Sequence, residues 1–183
     1  MNKHSSKYYV ILFLTLMFTA PGIAAYLFYQ HPGWLGASTV NKGSLLTPPV
    51  ILKNLDSSAK WRIVFWSPTT CTTQCFKELD TIARVRLALG RKLYDVDQWL
   101  ILGNNAKPIS KKQLALLAEQ DFRVTQLSTD DKEMMAVLPS QARVYLADPE
   151  NYLILSYGAQ LNPEDIYKDL KLLLNTATKT KSG

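Results

Sequence analysis

The distribution of apolar residues divides the chain into one long uncharged segment and a series of shorter apolar runs. No charged residue occurs from Tyr8 to Tyr29, and about 20 apolar residues are enough for a helix to cross the hydrocarbon core of a bilayer. After residue 50, short apolar runs alternate with stretches in which apolar positions recur at helical spacing. The pattern therefore predicts a single membrane-spanning helix over 8–29 and a separate folded domain over 50–175.

Strands and helices alternate in the predicted domain. Apolar runs rich in β-branched and aromatic residues predict strands at 63–66, 99–103, 122–127, 143–147 and 152–156, and two apolar patches at 45–46 and 50–52 predict an edge hairpin. Helical spacing predicts helices at 72–89, 110–119 and 130–137, and a last helix from Asn162. Hydroxyls of Ser67 to Thr70 are candidate caps for the first helix, Gly90 is expected to end it, and Ser110 with Gln113 predicts a capping box at the second. Parallel crossovers followed by an antiparallel hairpin and a terminal helix are typical of the thioredoxin fold. The predicted fold class is therefore α/β (α+β): a thioredoxin-like sheet with helices on both faces, preceded by one N-terminal transmembrane helix.

The segments that flank the span and the domain complete the predicted organisation. Lysines precede the span, whereas no Lys or Arg follows it until Lys42, so the positive-inside rule places residues 1–7 in the cytoplasm. Residues 30–49 are rich in Pro, Gly, Ser and Thr and are predicted to form a linker, and residues 176–183 are predicted to form a disordered tail. The sequence thus predicts a single-pass protein of the inner (cell) membrane, with a cytoplasmic N-terminus and a periplasmic domain.

A cleaved signal peptide is the alternative interpretation of the apolar segment, because Ile23-Ala-Ala25 loosely resembles a cleavage site. The run is longer than the usual h-region of about 7–15 residues, and isoleucine is bulky for its place in such a site. An anchor is therefore the favoured interpretation. Under either one the domain is exported to an oxidising compartment, where a pair of cysteines can persist as a disulfide.

Composition and charge exclude several functional classes. The net charge of +6 comes from basic residues that are scattered along the chain, apart from a cluster at 84–92, and no basic stripe is interleaved with aromatic residues. Nucleic acid is therefore not an expected partner. The sequence has no Ser/His/Asp set, no glycine-rich phosphate loop and no zinc-type spacing of ligands, so it gives no support to a hydrolase or a nucleotide-binding protein.

Both cysteines of the chain, Cys71 and Cys75, follow the 63–66 strand at the predicted start of the next helix. Residues four apart on a helix share one face, with Cβ atoms roughly 5–6 Å apart, so the two sulfurs can form a disulfide or together bind a soft cation such as Cu(I). The partial positive charge of a helix start favours the thiolate of Cys71. We therefore predict a functional dithiol that faces outward, with Cys71 as the attacking and Cys75 as the resolving thiol. A structural disulfide is the alternative, although closing so short a loop removes little chain entropy.

With these residues considered together, the chain resembles the Sco/SenC family of thioredoxin-fold copper-handling proteins. The N-terminal span, Cys71-x-x-x-Cys75 after an aromatic-rich strand, and Val144-Tyr-Leu-Ala-Asp-Pro149 before the hairpin carry this similarity. The chain is most similar to small membrane-anchored proteins encoded with cytochrome c oxidase genes in proteobacteria, which share the stretches Pro32-Gly-Trp34 and Gly43-Ser-Leu-Leu-Thr-Pro-Pro49. The resemblance implies a role in cytochrome c oxidase assembly, with oxidase subunits or other assembly factors as partners.

The sequence departs from the copper site of that family. The family pattern has a proline after each cysteine, where this chain has Thr72 and Phe76. The third copper ligand of the family is a histidine shortly before the Tyr-Leu-x-Asp-Pro strand, and Ser140 takes that place. A Cys₂His copper site is therefore not expected from the domain alone.

Four other residues are candidates for the missing copper ligand. His4 and His31 are the only histidines, and both lie in or next to the predicted anchor, far in sequence from the cysteines. Met134 and Met135 precede Ser140 and carry soft thioether donors, although methionines at such places more often fill a core. The third ligand stays unknown, and copper is an alternative rather than a required cofactor.

Three functions are consistent with these features. The first is a membrane-anchored thioredoxin-like factor that assists cytochrome c oxidase assembly through the Cys71–Cys75 thiol/disulfide pair. This function leaves open whether the protein acts as an enzyme, namely as a thiol–disulfide oxidoreductase. The second is a Cu(I) carrier that uses the same two cysteines, and the third is a non-enzymatic membrane scaffold with a structural disulfide. A general peroxidase or disulfide isomerase is not expected, because Cys-x-x-Cys is absent and Ala142 occupies the place of the thioredoxin cis-proline.

Overall fold

A long apolar helix and a mixed β-sheet with helices form two separate units of the chain, Met1–Val40 and Asn41–Gly183. The computed structural model describes residues 3–31, 41–52, 58–127, 138–158 and 162–181. In the first unit, helix α1 spans Lys3–Gln30. Its segment Lys7–Gln30 is long and apolar enough to cross a membrane. This helix contains the predicted span.

In the described part of the second unit, six strands form one sheet in the order β1-β6-β5-β2-β3-β4. The strands are β1 Ser44–Ile51, β2 Trp61–Ser67, β3 Val96–Leu102, β4 Phe122–Gln126, β5 Arg143–Ala147 and β6 Tyr152–Tyr157. β2, β3 and β4 are parallel neighbours. β5 is antiparallel to β2, and β6 is antiparallel to both β5 and β1. The predicted parallel crossovers and closing hairpin are confirmed.

Capping residues mark the end of one described helix of this unit and the starts of two others. The described helices are α2 Thr73–Ala88, α3 Lys111–Glu119 and α4 Pro163–Lys181, with a short 3₁₀ helix at Gly90–Asp95. Gly90 ends α2 with a φ of 60°, a left-handed conformation that glycine adopts without a Cβ penalty. Ser110 and Gln113 form the predicted capping box at the start of α3. At α4, the Asn162 side-chain oxygen accepts a hydrogen bond from the Glu164 N–H at 3.2 Å.

The central strand β2 is buried on both faces, because its side chains alternate between two hydrophobic clusters. Ile63 and Phe65 belong to the first cluster, to which α2, α3 and α4 contribute. Val64 and Trp66 belong to the second cluster, on the opposite face. All three described α-helices of this unit contribute to the first cluster, and the described residues of the second cluster come from strands and loops, so the predicted helices on both faces are not seen in the described part of the chain. The helix predicted at 130–137 lies outside the described residues. The continuous apolar run of β2 therefore reflects burial on two sides.

The linker and hairpin predictions near the start of the domain are wrong in part. Residues 44–49, predicted as linker, and the patches at 45–46 and 50–51, predicted as a hairpin, lie in the single edge strand β1. β1 pairs with β6 across an irregularity between Leu45 and Val50, and this bulge lets a strand containing two prolines keep its place at the sheet edge. Residues 32–40 of the predicted linker lie outside the described residues.

The predicted disordered tail is also corrected, because helix α4 continues to Lys181. Residues 176–181 contain no Gly or Pro. Extending a helix that has already formed needs no new nucleus, so such a sequence can prolong it. The hydroxyl of Thr176 donates to the Leu172 carbonyl one turn earlier at 3.2 Å.

A buried carboxylate ties the first residues of the domain to its last helix. Asp169 of α4 is only 2% exposed. It accepts hydrogen bonds from the backbone N–H of Lys42 at 2.8 Å, the N–H of Gly43 at 2.7 Å and the Tyr157 hydroxyl at 2.8 Å. Burial, and then the hydrogen bond to Asp169, raise the pKa of Tyr157 above its ordinary value, so this hydroxyl stays protonated and donates. A Cβ on Gly43 would lie 2.8 Å from the Tyr157 ring, which explains the glycine of the Gly43–Pro49 stretch.

Replacing Asp169 with alanine is expected to lower the free energy of unfolding by about 3 kcal/mol, because it leaves the buried Gly43 N–H and Tyr157 hydroxyl, and the partly buried Lys42 N–H, without an acceptor. Urea denaturation of the full chain in detergent, followed by tryptophan fluorescence, measures the change. Glu164→Ala, an exposed carboxylate on the same helix, is the matched control and should change stability little. Equal effects of the two substitutions would contradict this account of the carboxylate.

Candidate redox site

Cys71 and Cys75 are joined by a disulfide, with their Cα atoms 5.3 Å apart. β2 ends at Ser67 and α2 begins at Thr73, so Cys71 lies in the connecting loop and Cys75 in the first helical turn. The structure therefore brings the two predicted site residues together, but they do not share a helical face. The N-cap residue Thr72 is extended, with ψ 178°, and this conformation places Cys71 before the helix.

Contacts from a second loop hold the cysteine loop in place. The Gly103 N–H, just beyond the end of β3, donates to the Ser67 carbonyl at 2.8 Å. The Lys107 N–H donates to the Thr70 hydroxyl at 2.9 Å. A Cβ on Gly103 would lie 2.3 Å from the Pro68 carbonyl oxygen, so only glycine fits this approach. The loop that follows β3 therefore supports the cysteine loop directly.

The role of Gly103 is not among the predictions from the sequence, and the loop hydroxyls do not have the predicted capping role. Hydroxyls of Ser67 to Thr70 were expected to cap α2, whereas the Ser67 hydroxyl donates to the Thr69 carbonyl at 2.9 Å within the loop. The actual N-cap, Thr72, makes no side-chain capping hydrogen bond. A glycine directly after a buried strand that is parallel to the cysteine strand is the signal in the sequence that points to Gly103.

The start of α2 provides favourable electrostatics for a thiolate. No acidic residue lies in its first turn, and no side chain caps it. The partial positive charge of the helix start is therefore not offset by a carboxylate of that turn. When the disulfide is reduced, this charge favours the thiolate form of a cysteine beside it.

The disulfide is much less exposed than the sequence suggested. Cys71 is 8% and Cys75 is 7% exposed, and both belong to the first hydrophobic cluster. The prediction that the pair faces outward is therefore wrong about its exposure. Cysteine packs as a small apolar residue, and both cysteines lie among the side chains of this cluster. The flanking residues 72–74 are exposed. A reacting partner therefore meets little exposed cysteine surface, next to exposed residues at the helix start.

The segment before β5 reaches the same edge of the sheet. Arg143 pairs with Trp66 at the end of β2, and the indole N–H of Trp66 donates to the Pro139 carbonyl at 2.8 Å. Ser140 and Ala142 are exposed in this segment. The place where the Sco/SenC pattern has its histidine is therefore near the end of the cysteine strand, but a serine occupies it.

Residues that the structure describes do not assemble a complete copper site. Met134 and Met135 lie outside them, and His4 and His31 belong to the other unit. The described residues include no group of three or more His, Cys, Asp or Glu side chains that could hold a metal ion. Cys71 and Cys75 remain the candidate ligands, and their sulfurs must first be reduced before they can bind a metal.

A family model described as transmembrane-like, thioredoxin-like, C-terminal domain matches residues 61–177. The matched region begins at the first residue of β2 and contains both cysteines and the described elements up to α4. No curated protein matches the sequence.

Solved structures confirm the thioredoxin-like fold. The crystal structure of yeast Sco1 with copper bound has 16% sequence identity and a TM-score of 0.51, and the match covers 65% of this chain and 80% of that one. The solution structure of a putative thioredoxin from Neisseria meningitidis also has 16% identity and a TM-score of 0.51, with 74% of this chain and 90% of that chain covered. The predicted thioredoxin-like fold is therefore confirmed.

Substituting Gly103 with alanine is expected to displace the cysteine loop, because the new Cβ would collide with the Pro68 carbonyl. We expect a loss of about 1–3 kcal/mol in unfolding free energy and faster reduction of the disulfide by dithiothreitol, measured by thiol alkylation and mass spectrometry. Gly158→Ala is the control, since nothing lies within 4 Å of its added Cβ. Reduction of the Gly103 variant at the wild-type rate would show that this contact does not position the cysteines.

Proposed function

The chain belongs to the family described as transmembrane-like with a thioredoxin-like C-terminal domain, and from this premise we propose that it is a membrane-anchored factor that assists cytochrome c oxidase assembly by thiol–disulfide exchange. The observation that carries the proposal is the Cys71–Cys75 disulfide at the start of α2. Reactive groups are common at helix starts that follow the carboxyl ends of sheet strands. The helix dipole stabilises negative charge there, and ligands bind in the crevice at this edge of the sheet.

The exchange chemistry requires only the two cysteines and a partner with a thiol pair. A partner thiolate attacks one sulfur of the disulfide, a mixed disulfide forms, and the other cysteine leaves as a thiolate. The second partner thiol then displaces the first cysteine, so the partner becomes a disulfide and Cys71 and Cys75 become thiols. Two electrons pass from partner to chain. In the reverse direction Cys71 attacks a partner disulfide and Cys75 resolves the mixed disulfide, which makes the chain a reductant.

The proposed setting follows from the apolar helix and from the disulfide itself. Helix α1 would cross the inner membrane once, with the N-terminus in the cytoplasm and the domain in the periplasm. An oxidising space preserves a disulfide, whereas cytosolic thiol systems reduce it. The Sco-like fold and the sequence resemblance support oxidase subunits or other assembly factors as the partners, and the thiol ligands of an oxidase copper centre as the groups on which the exchange acts.

Cu(I) binding by the same two cysteines is the second candidate function. It is favoured by the fold shared with yeast Sco1, whose structure has copper bound, and by the affinity of thiolates for soft cations. A third ligand would have to come from a histidine of the other unit, from residues outside the described ranges such as Met134 and Met135, or from the partner. Competition of the reduced chain with a Cu(I) chelator separates the two functions. Binding no tighter than that of the double serine variant excludes the carrier function.

Replacing both cysteines with serine, in a strain of the source organism that lacks the wild-type protein, is expected to abolish most of the cytochrome c oxidase activity. The cause would be loss of the exchange reaction rather than of folding, since a disulfide across so short a loop adds little to stability. Oxidase activity in isolated membranes is the readout, with protein level followed by immunoblot. Thr81→Ser, on the same helix and outside the groove next to the pair, is the control. Normal oxidase activity in the double variant would refute the proposal and favour the scaffold function.

A further inference from the structure

The cysteine-bearing turn of α2 borders a groove that the exchange chemistry does not use. The groove lies between α2 and α3 and has a volume of about 440 Å³. Thr73 and Phe76 line it from α2, on either side of Cys75, and Leu116, Leu117 and Glu119 line it from α3. Neither cysteine is among its lining residues, so the groove adjoins the cysteine-bearing turn without containing the disulfide.

The groove combines apolar side chains with carboxylates. Leu117 is buried, and Leu116 is 53% exposed although it lies on a helix that packs against the sheet. Asp80 and Glu119 are its charged lining residues, and none of the lining residues is Lys or Arg. Asp80 is already paired with Arg84 at 2.6 Å, so the Glu119 carboxylate near Leu116 is the charge that favours a partner with an apolar and a basic side chain.

The walls of the groove are fixed relative to the disulfide. The capping box at Ser110 holds the start of α3, and the loop before it is hydrogen-bonded to the cysteine loop through Lys107 and Thr70. At the far end, the Gln120 amide donates to the Asp80 carboxylate of α2 at 3.3 Å. A groove formed by fixed walls costs little to organise on binding.

We propose that the groove between α2 and α3 is the docking site for the protein partner of the Cys71–Cys75 pair, and that it takes a segment with a leucine-like and a basic side chain close to the partner's reactive cysteine. The proposal rests on the exchange function and names the class of its substrate. Helix α3 has nine residues and is about 13 Å long. About four residues of an extended segment span this length, so the recognised side chains lie within four residues of that cysteine.

Low exposure of the disulfide makes such docking necessary for fast exchange. With each cysteine less than a tenth exposed, an unguided encounter seldom aligns the attacking sulfur with the disulfide. A partner held in the groove keeps its cysteine beside the helix start, which raises the effective concentration of the reacting thiol.

Exchange kinetics with synthetic peptides test the proposal on the full chain in detergent. The chain is reduced with dithiothreitol, freed of it, and mixed with symmetric disulfides of peptides whose cysteine has leucine and arginine within four residues, or serine and glutamate at the same places. Each turnover oxidises Cys71 and Cys75 and releases two peptide thiols, which chromatography measures. Bis(2-hydroxyethyl) disulfide, which is too small to use the groove, reports the chemistry alone.

We expect the Leu/Arg peptide to react about tenfold faster than the Ser/Glu peptide. Leu116→Gln should slow the Leu/Arg peptide about fivefold, and Glu119→Lys should reverse the charge preference, while the small disulfide reacts at an unchanged rate. Leu87→Gln, a leucine 64% exposed near the other end of α2, and Glu150→Lys, in the β5–β6 turn, are the matched controls and should leave the peptide rates unchanged.

Three outcomes would overturn the proposal. If the two peptides react at equal rates, or if the control variants are as slow as Leu116→Gln, the groove does not select the partner. The exchange function is unaffected by that result. A dimer of the full chain that Leu116→Gln dissociates, with peptide rates unchanged, would assign the groove to a second copy. No reaction of the reduced wild-type chain with any disulfide, the small one included, would refute the exchange function, and the docking proposal with it.

Discussion

The cysteine site depends on the parallel pairing of β2 with β3. Ser67 lies opposite Leu102 at the end of the two strands, so the loops that follow leave the sheet side by side. This register brings the Gly103 N–H to the Ser67 carbonyl and leaves no room for a Cβ beside Pro68. A shift of one residue would turn the side chains of β2 to opposite faces and separate these loops. The position of the disulfide is thus set by strand register as much as by the spacing of the cysteines.

Burial of the disulfide links its structural and its functional interpretation. Both cysteines pack in the cluster that contains Phe65 and Leu79, so the pair contributes apolar contacts whether or not it reacts. The same packing limits access, which fits the proposed exchange with one partner rather than with every thiol in the compartment. Selectivity then has to come from surfaces beside the sulfurs, and the groove of α2 and α3 is such a surface. Tethering by α1 would further restrict the partners to those near the membrane.

Features encoded by local patterns were predictable, whereas those that depend on distant contacts were not. Local residues were enough to predict three features: the end of α2 at Gly90, the capping box at Ser110, and the strands β5 and β6. Arg86 lies among the apolar positions of α2 and is buried, with its Nε donating to the Val96 carbonyl at 2.7 Å and its guanidinium 2.9 Å from Asp121. No pattern within α2 reveals those partners. Likewise the strand character of β1 depends on the free edge of β6, and the low exposure of the cysteines depends on side chains from several elements.

The thiol state of Cys71 and Cys75 in living cells tests the central claim most directly, because exchange with a partner must leave part of the pair reduced. Rapid acid quenching, alkylation and separation by mass shift measure the reduced fraction in cells that make an active cytochrome c oxidase and in cells that lack it. The account predicts a measurable reduced fraction that changes when the oxidase is absent. A pair that is completely oxidised in both kinds of cell would contradict it and would mark the disulfide as a structural feature.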